Sequence, residues 1–440
     1  MIKLRQVLLA GIVICQAFLC QMVLAAELNI EITQGVDNPI PIAVVPFSWE
    51  GVPPLTEDVA EIVGADLQQV GEFRPLGRGN MLSLPDEAAE VFFRDWRILA
   101  QDYLVVGKIT HSAGSELIQV QYEFFDVNRE QKIIGEVLTG TVDQLRDIAH
   151  EISNVVYEHI TGTRGAFDTE LLYVSAQFVS PELTWYRIEK SDYDGQRSQI
   201  LVESQEPLMS PTWSPDGRQI AYLSFETNLP RIYIQEIATG QRRQITDFPG
   251  INSSPVWSPD GTKMAMVLSK DGSPDVYVMD LNTNQLTRLT DHPRAETEPS
   301  WTADSRNVLF TSDRTGQPQI YQVSVTGGFA ERLTFDCFYC AKGRFLPDGK
   351  NLVHVRRDTR EDNSYSIAIF NIETQRVLTL TNTSLDESPS VAPNGSMIMF
   401  ATTVNGRGIL DAVSIDGRVK FRLPSAQGDV REPSWSPFFD

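Results

Sequence analysis

The chain has 440 residues, 42% of them hydrophobic, enough to build cores for one small domain and one large one. A formal net charge of −21 argues against nucleic acid or an anionic membrane surface as partner. Basic or amide-rich protein surfaces remain as the complementary class.

The first residues read as an export signal. Lys3 and Arg5 precede an apolar centre over residues 8–19, and Val23-Leu24-Ala25 or Leu24-Ala25-Ala26 offers small residues for cleavage after position 25 or 26. As a membrane span this segment is marginal in length and is interrupted by Gln16 and Gln21, so no direct membrane span is expected. Bulky Leu19 argues against lipidation of Cys20. Loss of Lys3 and Arg5 takes the charge to −23, with 35 basic against 58 acidic residues.

Residues 26–162 read as a compact α/β domain. After Glu27, the apolar Leu28, Ile30 and Ile32 alternate with Asn29, Glu31 and Thr33, which predicts a strand with one apolar face. Residues 41–47 are nearly all apolar, as in a strand buried on both faces. Thr56 is expected to cap a helix with Glu57 and Asp58 in its first turn. A second helix is expected over 86–101, and strands near 103–110, 117–125 and 132–138. Thr141 and Gln144 form a capping box for a helix whose Leu145, Ile148, Ile152, Val155 and Ile160 share one face. Gly162 and Gly165 end that helix and open a link to the second domain.

Residues 163–440 are organised by a repeat. Trp213-Ser214-Pro215-Asp216-Gly217 returns at Trp257, Trp301, Phe345, Val391 and Trp435, at spacings of 44, 44, 44, 46 and 44. A period in the forties with four strand-like pieces per unit is the signature of a β-propeller. The aromatic fills the gap between packed sheets, and Pro-Asp-Gly makes the turn that follows it. The segment from Leu171 to Val202 carries later strands without the leading motif, and the C-terminal Trp435-Ser436-Pro437 carries the motif alone. Joined, they make one blade, for a six-bladed β-propeller closed by strands from both ends of its segment.

Cys15 and Cys20 belong to the signal, leaving Cys337 and Cys340, which in an exported protein favour a local disulfide. Zinc would need two further ligands. The chain has no nucleophile elbow, no paired-histidine zinc motif and no phosphate-binding glycine loop. His150 and His159 share a helix at the wrong spacing for a metal pair. Neither an enzyme nor a cofactor is expected.

The informative positions lie just before each repeat head. Thr297 and Glu298, Asp386 and Glu387, and Glu432 place acids where a loop enters the innermost strand, with Ser254 and Ser210 at equivalent places. Such acids would make a negative funnel for cations, Lys, Arg or amides. The plainer alternative is ordinary polar loop residues.

Gly35-Val36-Asp37 ahead of the 41–47 run, Arg164-Gly165-Ala166-Phe167, the Trp-Ser-Pro-Asp-Gly repeats, Leu385-Asp386-Glu387-Ser388-Pro389-Ser390 and the Trp435-Ser436-Pro437 ending together resemble the TolB family of the Tol-Pal envelope system. The resemblance covers essentially the whole mature chain. It implies a non-enzymatic periplasmic adaptor that binds the lipoprotein Pal at the propeller mouth and the C-terminal domain of TolA through its mature N-terminus. On this chain the first role falls on Ser254, Thr297, Glu298, Asp386, Glu387 and Glu432. The second falls on Glu27, Leu28, Asn29, Ile30, Glu31, Ile32 and Thr33, unless these pair within their own domain. Ile251 stands where relatives often carry His, and the Cys337–Cys340 segment has no family counterpart. Some bacteriocins exploit the same mouth in relatives. The alternative is a propeller that binds a small ligand, glycan or cation in its channel.

Overall fold

The computed structural model describes residues 29–32, 38–49, 51, 54–111, 117–383, 385–424 and 428–439. The signal segment and Gly35, Val36 and Asp37 lie outside these, as do Glu27, Leu28 and Thr33.

The N-terminal domain is a mixed sheet with helices on both faces. Its strands are β2 (Ile40–Val44), β3 (Ser48–Trp49), β4 (Phe73–Pro75), β5 (Tyr103–His111), β6 (Leu117–Asp126) and β7 (Gln131–Thr141), following a leading strand β1 (Asn29–Ile32). The sheet order is β4-β2-β5-β6-β7, with β3 also on β5. The 41–47 run explains itself here. Ile42 and Val44 join one hydrophobic cluster, Ala43 and Val45 another, so both faces of β2 are covered.

Helices α1 (Val59–Gln69) and α3 (Leu145–Thr161) cover the first face. The cap of α1 is Asp58 and not Thr56. Its carboxylate accepts the Ala60 and Glu61 N–H groups at 3.0 and 3.2 Å, and a carboxylate there also suits the helix dipole. The Thr141–Gln144 capping box is present, and α3 ends at Gly162 with φ 74°. The single helix expected over 86–101 is instead a 3₁₀ turn (Ala88–Glu90) and a short α2 (Phe93–Ile98). Glu123 accepts the Ala88 N–H at 2.6 Å, and Val91 and Phe93 pack on one cluster with Trp96. Two inward residues at a spacing of two cannot share one helical face, so packing overrides propensity.

The rest forms six four-stranded blades. Blades I to V begin with innermost strands Leu208–Trp213, Asn252–Trp257, Glu296–Trp301, Tyr339–Phe345 and Glu387–Val391. Blade VI takes its innermost strand, Asp429–Trp435, from the C-terminus and pairs it with Glu170–Ser180, so the ring closes as the repeat implies. The motif works as a unit. Ser214 donates to Asp216 at 2.6 Å and accepts the Gln219 N–H at 2.9 Å, while Gly217 turns at φ 69°. Trp213 is 5% exposed and its indole N–H donates to the Ser434 carbonyl of the neighbouring blade at 3.0 Å. Trp301 does the same onto the Val256 carbonyl, while the Trp435 indole donates to the Thr169 hydroxyl at the start of its own blade's next strand.

Candidate functional site

All six innermost strands share one irregularity. Each has a break in register, and the residue at the break is left-handed without being glycine: Ser210, Ser254, Glu298, Lys342, Ser388 and Glu432, with φ between 51° and 56°. A bulge re-aims its side chain, and here all six line one cavity of about 410 Å³ at the centre of the ring. Their backbones are strained by roughly 1–3 kcal/mol each. The cavity lies toward the starting ends of the innermost strands. The N-terminal domain meets the other ends, where the Asn394 amide donates to the Arg164 carbonyl at 3.1 Å.

Side chains bridge three of the six junctions between successive bulge residues. A Glu298 carboxylate oxygen accepts the Lys342 backbone N–H at 3.2 Å, and the Lys342 ammonium donates to Ser388 at 2.8 Å. A Glu432 oxygen accepts the Ser210 backbone N–H. Burial raises the pKa of Glu432, an effect that this N–H bond and Lys342 oppose.

The expected acidic residues divide. Ser254, Glu298 and Glu432 line the cavity. Asp386 is 0% exposed, accepts the Thr381 and Thr383 hydroxyls, and holds a loop together below the surface. Glu387 is half-buried, 3.5 Å from Arg431, and Thr297 pairs with Thr311 at the sheet. Neither lines the cavity. Ile251 is 42% exposed on the rim loop of blade II.

A ring of acids is therefore not what the channel holds. Blade IV departs from the other blades, carrying Lys342-Gly343-Arg344 where blade III carries Glu298-Pro299-Ser300, and both cations line the cavity. Neither cation follows from the pattern of Ser or Glu before Pro that marks the other five mouths. Counting the repeat on by 44 from Glu298 lands on Lys342 and would have found them. Two residues before Lys342, Cys340 is bonded to Cys337 in a disulfide, as the local pairing anticipated.

The two domains meet at a buried polar hub. Asp66 of α1 accepts the Tyr193 hydroxyl at 2.7 Å and the Ser153 hydroxyl at 2.6 Å, and lies 2.8 Å from His150 Nδ1. Arg146 reaches across to Asp192 at 2.9 Å and to Asp194, and Arg197 returns to Asp147 at 2.5 Å. Elsewhere, β1 pairs antiparallel with Val419–Arg422, Asn29 opposite Arg422 and Ile32 opposite Val419. The leading strand thus adds to the outer edge of blade V and not to the sheet of its own domain.

Comparison with known proteins gives the same architecture. Residues 28–133 match the TolB amino-terminal domain and residues 157–439 the TolB beta propeller domain. The chain belongs to the TolB family. It is similar to the Tol-Pal system protein TolB of Pseudomonas fluorescens, 55% identical over 433 residues, covering 98% of this chain and 99% of that one. It is similar also to the Tol-Pal system protein TolB of Pseudomonas aeruginosa, 58% identical over 409 residues, covering 93% and 94%. The crystal structure of TolB from Acinetobacter baumannii matches with a TM-score of 0.85 at 37% identity, covering 94% of this chain and all of that one (100%). No helix among the described residues is long and apolar enough to cross a membrane.

Proposed function

We propose that this chain is a non-enzymatic periplasmic adaptor of the Tol-Pal system, exported with a cleaved signal peptide. It binds Pal at the propeller mouth and the C-terminal domain of TolA through residues 27–33, supporting outer-membrane integrity and invagination at division. The observation that carries the reading is the pairing of β1 with an outer blade edge. Four residues gain about 0.5–1.5 kcal/mol per backbone bond and lose about 1–2 kcal/mol each in chain entropy, so the strand is held near balance. A strand so held can leave its own blade and pair with a partner's sheet edge. The mouth opens on the far side of the ring from the N-terminal domain, which lets two partners bind without collision.

Deletion of residues 27–33 is expected to abolish TolA binding while leaving the main thermal transition in place. Retained TolA binding would remove the strand from this role. Reversing charge at Glu298 and Glu387 tests the other contact by pull-down with Pal. Because Glu387 lies outside the cavity, Glu298→Lys is expected to account for most of the loss. Unchanged capture by the double variant would move the Pal contact away from the mouth.

A further inference from the structure

The central cavity contains a cation that the fold leaves unmatched. Arg344 Nη1 donates to the carbonyls of Pro299 and Gly343, at 3.3 and 3.1 Å. These two bonds occupy one nitrogen; the fork formed by Nε and Nη2 has no protein partner among the described residues. Burial lowers the guanidinium pKa, and the charge of Glu298 opposes this without reversing it. Lys342, two residues earlier, reaches only the neutral hydroxyl of Ser388. Neither cation forms an ion pair among the described residues, although Glu298 and Glu432 line the same cavity. One oxygen of each acid is committed to a backbone N–H, those of Lys342 and Ser210.

We propose that the propeller channel is a carboxylate-binding site in which the Arg344 fork grips the ligand and Lys342 supplies the second positive charge. The cavity of about 410 Å³ admits a small organic acid or one acidic side chain. A guanidinium fork fits a carboxylate through two parallel N–H bonds. The lining charges select a monoanionic group over a phosphate: two cations against two acids leave no net positive charge to hold a dianion. The site is a property of blade IV alone. The other five blades place Ser or Glu at the position of Lys342, and Thr, Val or Ser at that of Arg344.

The fold itself supplies the controls. Arg344→Ser and Lys342→Ser install residues that equivalent positions already carry, at Ser300 and Ser210, so the blade should remain folded. Titration calorimetry on the mature protein, in buffer matched for ionic strength, would use two probes. Sodium propionate represents a free small monocarboxylate, and N-acetyl-Gly-Glu-Gly-amide represents an acidic side chain offered by a protein. Saturable binding of either probe, weakened about tenfold or more by Arg344→Ser and less by Lys342→Ser, is expected; about tenfold corresponds to about 1.4 kcal/mol. Glu298→Gln keeps an acceptor for the Lys342 N–H and should tighten binding by removing a repelling charge. Preference for propionate assigns a free metabolite-sized ligand, and preference for the peptide an inserted side chain. No binding of either probe, or binding indifferent to Arg344→Ser, overturns the proposal. The result does not depend on which protein docks over the mouth, so a failed capture of Pal leaves it standing.

Discussion

His354 and His150 are both buried, yet their surroundings push them in opposite directions. His354 sits inside blade IV with Nδ1 3.3 Å from the Leu352 carbonyl and Nε2 without a partner among the described residues. Burial pushes its pKa down to about 4, with the Leu352 bond and Asp358 opposing and Arg356 reinforcing. The unfolded chain binds that proton first, so its contribution to stability is complete above about pH 6.5 and is lost as pH falls toward 4. His354→Leu is expected to flatten this acid limb by about 2–3 kcal/mol, read from urea unfolding at pH 4.5 and 7. An unchanged limb would mean that other groups carry it. For His150, burial alone would lower the pKa, but Asp66 at 2.8 Å outweighs it and the net shift is upward. Its contribution is therefore complete below about pH 6.5 and fades as pH rises through the folded value.

At the scale of elements, the innermost strand of blade VI closes the ring from 250 or more residues away, as with the Trp435 indole donating to Thr169 across 266 positions. Removing residues 429–440 should open two sheet edges at once and abolish cooperative unfolding of the propeller, measured by calorimetry. A truncated chain that kept one sharp transition would show that five blades suffice. Strands of this kind were legible because the repeat fixes them: Trp213, Asp216 and Gly217 carry local chemistry that means the same thing wherever a copy keeps them. The 86–101 segment was not legible, since Glu123, distant in sequence, claims the Ala88 N–H. Asp386 misled for a related reason. From sequence it reads as a rim acid, but the Thr381 and Thr383 hydroxyls that draw it inward sit on a loop whose curvature no local pattern reveals. The blade V partner of β1 was likewise invisible, because alternation gives a strand its faces and says nothing of which edge it joins.

For the molecule as a whole, the Asp66 hub is where two separately built cores meet, with residues from α1, α3 and the hairpin of blade VI sharing a single carboxylate. Asp66→Ala removes the common acceptor and leaves His150, Ser153 and Tyr193 buried without it. Removing one member of such a buried set typically costs about 3–5 kcal/mol. Hydrogen exchange should then rise most in α1, α3 and blade VI, with blades II and III nearly unchanged. A uniform rise across the chain would show that the hub serves global stability and not domain docking.

The six left-handed positions around the channel carry a consequence for how such a protein can change. Each carries, on a strained backbone, a side chain that lines the channel and not a blade core, at a bulge whose backbone is the same in every blade. Exchanges there need no compensating change in a core. They act like six settings on a combination lock, coupled only where one reaches the next as at Glu298, Lys342 and Glu432, and blade IV with its lysine shows one already turned. Glycine at any of them would relax the backbone and blank that setting. The strain is thus tied to what faces the channel, and the packing of the blades does not require it.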